Sequence, residues 1–184
     1  RCVNQKYRKD KRPVTVVILP ATRDRLLRDV ASGLADIAAG NITVTESRRR
    51  QVDFATSASM SAINEVVVTG PRAPPVATLD DLSGKTVHTR PSSSAYESLL
   101  ALNKRFAAAK KPPAKIVRLP DALEAEDTLE MTNAGLLDIV VVDDVIADIW
   151  AQVLPGIKVH DDLKLLADAR VGWAVRKGSP QLQA

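Results

Sequence analysis

The sequence is poor in aromatic residues and cysteine, and it has no long apolar run. Aromatic residues make up 3% of its 184 positions, so Val, Leu, Ile and Ala must form the core, as in buried strands packed under helices. So few aromatics also argue against a stacking surface for single-stranded nucleic acid. The only cysteine, Cys2, cannot form an internal disulfide. No stretch approaches the roughly 20 apolar residues of a membrane span. We therefore predict a globular protein that binds no nucleic acid and has no membrane span in this chain.

The sequence also lacks the residue arrangements of common catalytic and metal sites. Its two histidines, His88 and His160, lie far apart and have no cysteine or carboxylate at metal-ligand spacing. No Ser–His or Cys–His arrangement and no glycine-rich phosphate loop can be identified. We predict no catalytic residue, no metal and no cofactor. The formal net charge of +4 comes with basic runs at 6–12 and 48–50, and such runs usually form solvent-exposed faces.

What the sequence does contain is a regular alternation of strand and helix patterns. Short β-branched, apolar runs bounded by Pro, Gly or polar residues indicate strands. The predicted strands are 14–19, 35–39, 65–69, 86–89, 115–119, 138–142 and 171–175. Helices are predicted from a cap at Thr22 to Gly33, over 95–109, from a cap at Asp121 to residue 133, and after Asp144. This order predicts a mostly parallel α/β sheet, whose first strand–helix–strand unit has a right-handed crossover.

Polar side chains follow several of these strands, at the position where ligands bind in open α/β sheets. They are Asn41, Thr43, Thr45 and Arg48 after the second strand, Ser92, Ser93 and Ser94 after the fourth, and Asp143 after the sixth. An arginine fork pairs with a carboxylate, serine hydroxyls offer further donors, and an aspartate accepts from an ammonium group. Together these groups predict a binding site for a zwitterion.

Each of these residues also has a purely structural interpretation. Arg48 is compatible with a surface arginine in a basic run. Either Asp143 or its neighbour Asp144 can cap the next helix, and the three serines can form a loop with a helix cap. Asn41 and Thr43 can satisfy loop backbone groups. The pairs at 80–81 and 161–162 are interpreted as turn or capping residues.

The segment Asp36–Phe54 resembles the signature of family 3 extracellular solute-binding proteins. That signature consists of an Asp, an apolar strand, Thr-x-Thr-x-x-Arg and then an apolar residue followed by Asp-Phe. Later segments resemble the family in the expected order, namely 82–87, the serine loop, 137–143 and 172–180. The resemblance covers roughly residues 14–180.

The resemblance implies the type II periplasmic-binding-protein fold, which is an α/β fold of two lobes with mixed, mainly parallel sheets. One lobe would comprise residues 1–69 and 171–184, and the other residues 70–170. Two hinge strands are expected near 65–70 and 170–175. Family members begin with a strand that this sequence lacks, so we expect the first lobe to be incomplete.

In that family the Arg of the signature holds the ligand's α-carboxylate, which implies this role for Arg48. The loop after the first strand of the second lobe adds donors, here Ser92 and Ser93. An Asp at the end of the late strand takes the α-amino group, here Asp143. Asn41 and Thr43 complete the predicted ligand-binding set. The resemblance thus implies an exported, periplasmic module that clamps an amino acid or a peptide-like ligand, without catalysis and without a cofactor.

Two details resemble a subgroup, the binding modules of membrane-bound lytic transglycosylases of the F type. They are Asn41 and the segment Arg90–Leu99. This implies a muropeptide-like ligand and regulation of a fused transglycosylase, as an alternative to work with an ABC transporter. Glu97 stands in a Glu-Ser pair similar to that of transglycosylase active sites, but a carboxylate early in a helix favours a structural role.

Two rival functions use the same fold. One is the effector-binding domain of a transcription regulator, which lacks the Thr-x-x-Arg signature. The other is an enzyme such as a dehydratase, which needs a Glu or Tyr acid–base group that faces the cleft.

Overall fold

A computed structural model describes residues 15–57 and 62–182 of the chain. The described segment 15–22 has no regular secondary structure, and exposure of its apolar side chains runs from 64% for Leu19 to 88% for Ile18. The strand predicted at 14–19 is therefore wrong for its described residues, and the crossover unit built on it is not formed. A β-branched run becomes a strand when a neighbouring strand takes up its backbone hydrogen bonds. No described strand pairs with this run. Cys2 and the basic run 6–12 lie outside the described residues.

The described elements alternate as the sequence predicts over most of the chain. The strand predicted at 35–39 runs instead from Ile37 to Thr43, so Asn41 and Thr43 lie within it and not after it. The helices are α1 (Arg23–Ala31), α2 (Glu46–Arg49), α3 (Ser94–Ala108), α4 (Ala125–Asn133) and α5 (Asp144–Ala151). The strands are β1 (Ile37–Thr43), β2 (Asp53–Ala55), β3 (Ile63–Thr69), β4 (Thr86–Thr89), β5 (Lys115–Arg118), β6 (Ile139–Asp143), β7 (Lys158–Ala169) and β8 (Val171–Val175). Short 3₁₀ turns lie at Leu79–Leu82 and Pro180–Leu182. Gly33 and Gly135 follow α1 and α4 with positive φ of 81° and 72°, the conformation in which glycine ends helices.

The strands form two sheets, one in each of two lobes. The sheet of the first lobe has the order β1-β8-β2 and is antiparallel. The sheet of the second lobe has the order β5-β4-β6-β3-β7, in which β4 runs parallel to β5 and β6. An α/β fold with mixed sheets is confirmed, but antiparallel pairs outnumber parallel ones among the described strands. The reason is that β3 in the second sheet and β8 in the first sheet each run antiparallel to both of their neighbours.

The sheet boundary differs from the predicted lobe boundary at residue 69. β3 pairs with β6 and β7 along its length, so it belongs to the second sheet, and the chain passes from one sheet to the other before Ile63. Arg170, the second predicted lobe boundary, lies between the end of β7 and the start of β8. β7 itself was not predicted, and it contains Asp161 and Asp162, which were wrongly interpreted as turn or capping residues. It is an edge strand, and charged residues are common on such strands because they discourage pairing with other chains.

The second lobe has a core on both faces of its sheet. Side chains alternate between faces along β3 and β6. Val67, Ile139 and Val141 therefore pack with Leu99 and Phe106 of α3 on one face. The opposite face carries Val66, Val68, Val140 and Val142 against Leu129 of α4 and Ala147 of α5. The first lobe has a smaller core, which consists of Val30, Ala38, Ile42, Val52 and Ala174.

Candidate ligand-binding cleft

The two lobes face each other across a cleft with a cavity of about 100 Å³. The first lobe contributes residues of α1, β1 and α2, and the second lobe contributes the ends of β4 and β6 and the loop before α3. All six residues predicted to bind a ligand line it, namely Asn41, Thr43, Arg48, Ser92, Ser93 and Asp143. Ligand pockets commonly measure about 300–1,000 Å³. The lobes are therefore close together in this structure.

Arg48 is a buried cation that joins the two lobes. It is 7% exposed, and its Nη1 donates to the Thr43 carbonyl at 2.9 Å within the first lobe. Its Nη2 donates to the Ser92 carbonyl of the second lobe at 2.8 Å, and its Nε lies 3.3 Å from Glu97 Oε1. Burial lowers the pKa of Arg48, and the Glu97 charge partly offsets this. A guanidinium has five N–H groups, so two remain on the terminal nitrogens after these contacts. Arg48 is thus not a surface residue of a basic run.

Asp143 and Asp144 are neighbours with different surroundings. Asp144 Oδ1 accepts from the backbone N–H groups of Asn64 at 3.1 Å and Val145 at 2.9 Å. Its carboxylate therefore stabilises the local backbone. Asp143 precedes α5 but makes no side-chain cap, and its carboxylate has no hydrogen bond to any described residue. Burial, followed by the charges of Glu65 and Asp144, raises the pKa of Asp143 from 3.8 to about 6. Asp143 therefore presents an unpaired acceptor to the cleft.

Ser92 and Ser93, which precede α3, have different roles. Ser93 caps the helix, since its Oγ accepts from the Tyr96 N–H at 3.2 Å and donates to the Arg90 carbonyl at 2.8 Å. The Ser92 hydroxyl is buried and has no hydrogen-bond partner among the described residues. Asp121 Oδ1 holds the Ser92 backbone N–H at 3.1 Å. Ser92 is thus the serine of this pair with an uncommitted hydroxyl.

Asp121 does not cap α4, contrary to the sequence prediction. Glu124 occupies the capping position, and its own backbone N–H donates to Asp127 Oδ2 at 2.7 Å. The correction matters for the cleft, because Asp121 is left free to fix the serine loop.

Glu65 is a buried carboxyl group near the cleft that sequence analysis did not select. It is 1% exposed and lies opposite Asp143 on the neighbouring strand. Its Oε2 accepts from Ser98 Oγ at 2.5 Å, whereas its Oε1 has no partner among the described residues. Burial raises the pKa of Glu65 against the opposing effects of Ser94, Ser98 and Arg48. The signal in the sequence is a single charged residue at the start of an otherwise apolar run.

Two further arginines in the cleft were also missed as site residues. Arg23 and Arg90 both line the cavity. Arg23 Nε and Arg90 Nη1 each donate to Glu124 Oε2 at 3.0 Å. Arg23 belongs to the first lobe and the other two residues to the second, and 101 residues separate Arg23 from Glu124. No local pattern in the sequence connects residues so far apart.

The cleft offers charges and hydrogen-bond donors rather than a metal centre. Within 15–57 and 62–182, no group of His, Cys, Asp and Glu is arranged to hold a metal ion. None of the described helices has the length and hydrophobicity to cross a membrane. A buried arginine from one lobe and an unpaired aspartate from the other are suited to a small ligand that carries both charges.

Comparisons with known proteins agree with this architecture. The family model of the bacterial extracellular solute-binding proteins, family 3, matches residues 5–184. An ancestral arginine-binding protein bound to arginine is 25% identical, with a TM-score of 0.72 over 92% of this chain and 70% of that one. A substrate-binding protein of an amino acid ABC transporter is 23% identical, with a TM-score of 0.71 over 98% of this chain and 72% of that one. A structure from the study of glutathione import in Streptococcus mutans is 17% identical, with a TM-score of 0.74 over 98% of this chain and 73% of that one. The search of curated proteins found no match.

Proposed function

The chain belongs to the bacterial extracellular solute-binding proteins, family 3, and on this premise we propose that it clamps an amino acid or a related small zwitterion between its lobes. Arg48 holds the ligand's α-carboxylate, and Ser92 adds a hydrogen bond to the same group. Asp143 accepts from the α-ammonium group. Asn41 and Thr43 complete the wall on the side of the first lobe, while Ser93 keeps the serine loop in place.

One observation carries this proposal. Arg48 retains two N–H groups, and Asp143 has no hydrogen bond to a described residue, yet both line the same cavity from opposite lobes. Buried charges without a partner are costly. A zwitterion compensates the Asp143 carboxylate and supplies an acceptor for the guanidinium. It also favours the closed arrangement, because only there can it reach both groups.

The proposed setting is outside the cytoplasm, in the periplasm, with delivery of the ligand to an ABC transporter. The extracellular family and the amino acid transporter protein among the similar structures support this role. Regulation of a fused lytic transglycosylase rests only on Asn41 and the segment Arg90–Leu99, and it stays a prediction. The effector domain of a transcription regulator is less well supported, because the Thr-x-x-Arg signature is present and Arg48 lines the cleft.

A calorimetric screen of the twenty L-amino acids tests the proposal. At least one is expected to bind, and Arg48→Lys should weaken that binding about 10-fold or more, because an ammonium cannot replace the planar fork. The neighbouring Arg49, which is exposed, provides the matched control Arg49→Lys, which should bind as the wild type does. Circular dichroism verifies that each variant is folded.

Two outcomes would contradict the proposal. One is that no amino acid, dipeptide or muropeptide fragment binds to the folded wild type. The other is that Arg48→Lys and Arg49→Lys bind the same ligand equally well, since Arg48 would then not hold the carboxylate.

A further inference from the structure

The cleft contains a second group of charges, which we call the outer cluster and define as Arg23, Arg90 and Glu124. Both arginines share a single oxygen, Glu124 Oε2, at 3.0 Å from each donor nitrogen. The Arg23 and Glu124 side chains are 38% and 45% exposed, whereas that of Arg90 is 11% exposed. Two guanidinium groups on one carboxylate leave the outer cluster with a net charge of +1.

The two arginines of the outer cluster line the cavity and have unused hydrogen-bond donors. Arg23 and Arg90 line it and Glu124 does not. Each guanidinium has five N–H groups and donates through one nitrogen to Glu124. One more carboxylate would neutralise the cluster and accept from donors that are already there.

The inner part of the cleft has the opposite balance. Arg48 is paired there with Glu97, while Asp143 carries an unpaired carboxylate close enough to Arg23 and Arg48 for both to influence its pKa. The proposed zwitterion satisfies this inner part with its own two charges. A ligand side chain that extends to the two outer arginines is repelled if it is cationic and attracted if it is anionic.

Resting on the proposed function, we propose that the outer cluster binds a second anionic group of the ligand, so that the ligand is an acidic amino acid or another zwitterion with an additional carboxylate. The distal carboxylate lies beside Glu124 on Arg23 and Arg90. This selectivity differs from that of the similar protein bound to arginine, because an arginine side chain would place a third guanidinium beside two others.

Calorimetric titration of the wild type with glutamate, glutamine, aspartate, asparagine and arginine tests this inference. Each acid should bind about 10-fold or more tightly than its amide, because a charge-assisted contact replaces a neutral one. Arginine should bind more weakly than glutamine. Amides that bind as tightly as the acids, or arginine that binds best, would overturn the inference. They would leave the proposed function intact, because an amino acid would still be bound.

Variants of the outer cluster give a second, independent readout. Arg90→Gln and Arg23→Gln, one in each lobe, should each bring the ratio of the glutamine and glutamate dissociation constants closer to one. Glu124→Gln should raise that ratio several-fold, because it removes the protein's own carboxylate, which otherwise pairs with both arginines. A merely structural role predicts no such opposite effects. An unchanged ratio in all three variants would overturn the inference. If no amino acid binds even to the wild type, the proposed function fails, and this inference fails with it.

Discussion

The two lobes differ in how much of their stability comes from their own cores. The second lobe buries apolar side chains on both faces of a five-stranded sheet. Among the described residues, the first lobe has a three-stranded sheet and a small core around Val30, Val52 and Ala174, and its apolar segment at 16–19 is exposed. Burial of apolar area is the main source of folding free energy. The second lobe should therefore be the more stable unit.

This difference shows how the first lobe can respond to a ligand. Its described links to the second lobe include Arg48 with Ser92 and Glu97, Thr45 with Glu97, and Arg23 with Glu124. These contacts are polar and lie along the cleft. A ligand bound there adds to the weaker lobe's contacts, and the stronger lobe acts as the rigid partner that positions Asp143 and the serine loop.

The largest expected effect is a cavity in the core of the second lobe. Leu99 is fully buried, whereas Leu100, next to it on α3, is 42% exposed. Leu99→Ala should lower the free energy of unfolding by about 3 kcal/mol, and Leu100→Ala by less than about 1 kcal/mol. Urea denaturation followed by circular dichroism measures both. Similar losses in the two variants would mean that this core does not dominate stability.

A smaller effect, of the opposite sign, is expected at Asp143. Because its pKa is raised from 3.8 to about 6, the folded protein holds a proton more tightly than the unfolded chain does. The unliganded protein therefore loses stability as the pH rises through this interval. Asp143→Asn removes the penalty and should stabilise the unliganded protein by roughly 2 kcal/mol at pH 7.5, while it abolishes amino acid binding.

Thermal unfolding at pH 5 and pH 7.5 checks this prediction, with the exposed Asp162 changed to Asn as the control. The gain at Asp143→Asn should be larger at pH 7.5 than at pH 5. A variant that is less stable than the wild type at pH 7.5 would show that the Asp143 charge has a stabilising partner.

The smallest expected effect concerns a link between the lobes. Glu97 lies 3.3 Å from the buried Arg48 and also accepts from Thr45 Oγ1 at 3.0 Å. Glu97→Gln leaves the guanidinium without its charged partner, and it should lower stability by about 1 kcal/mol, since Glu97 is partly exposed to solvent. Glu46→Gln, at an exposed position of α2, is the control. Equal melting temperatures for the two variants would show that the pair does not hold the lobes together.

Local sequence patterns predicted the elements whose character is set by their own residues. β6 is an apolar run between polar residues. α1 and α3 lie close to their predicted bounds because Thr22, Ser93 and Gly33 mark their ends. β7 was missed because an edge strand with many charged residues lacks a clear apolar pattern. The segment 14–19 has the local pattern of a strand, but no described strand pairs with it.

The sequence likewise predicted only some residues of the candidate site. Arg48, Asp143 and the serine loop were found because each follows a predicted strand or carries a family signature. The outer cluster and the Arg48–Glu97 pair join residues from different lobes, and Glu65 lies within a strand. The contacts between lobes depend on how the lobes meet, and local spacing in the sequence does not predict this.

The central claim is that one ligand carries a carboxylate for Arg48 and an ammonium group for Asp143. The most direct test is a calorimetric comparison of the best-binding amino acid with its α-methyl ester and its N-acetyl derivative. The account predicts that each modification weakens binding about 10-fold or more, because each removes one charged contact. A derivative that binds as tightly as the parent amino acid would contradict the claim for the residue assigned to the missing group.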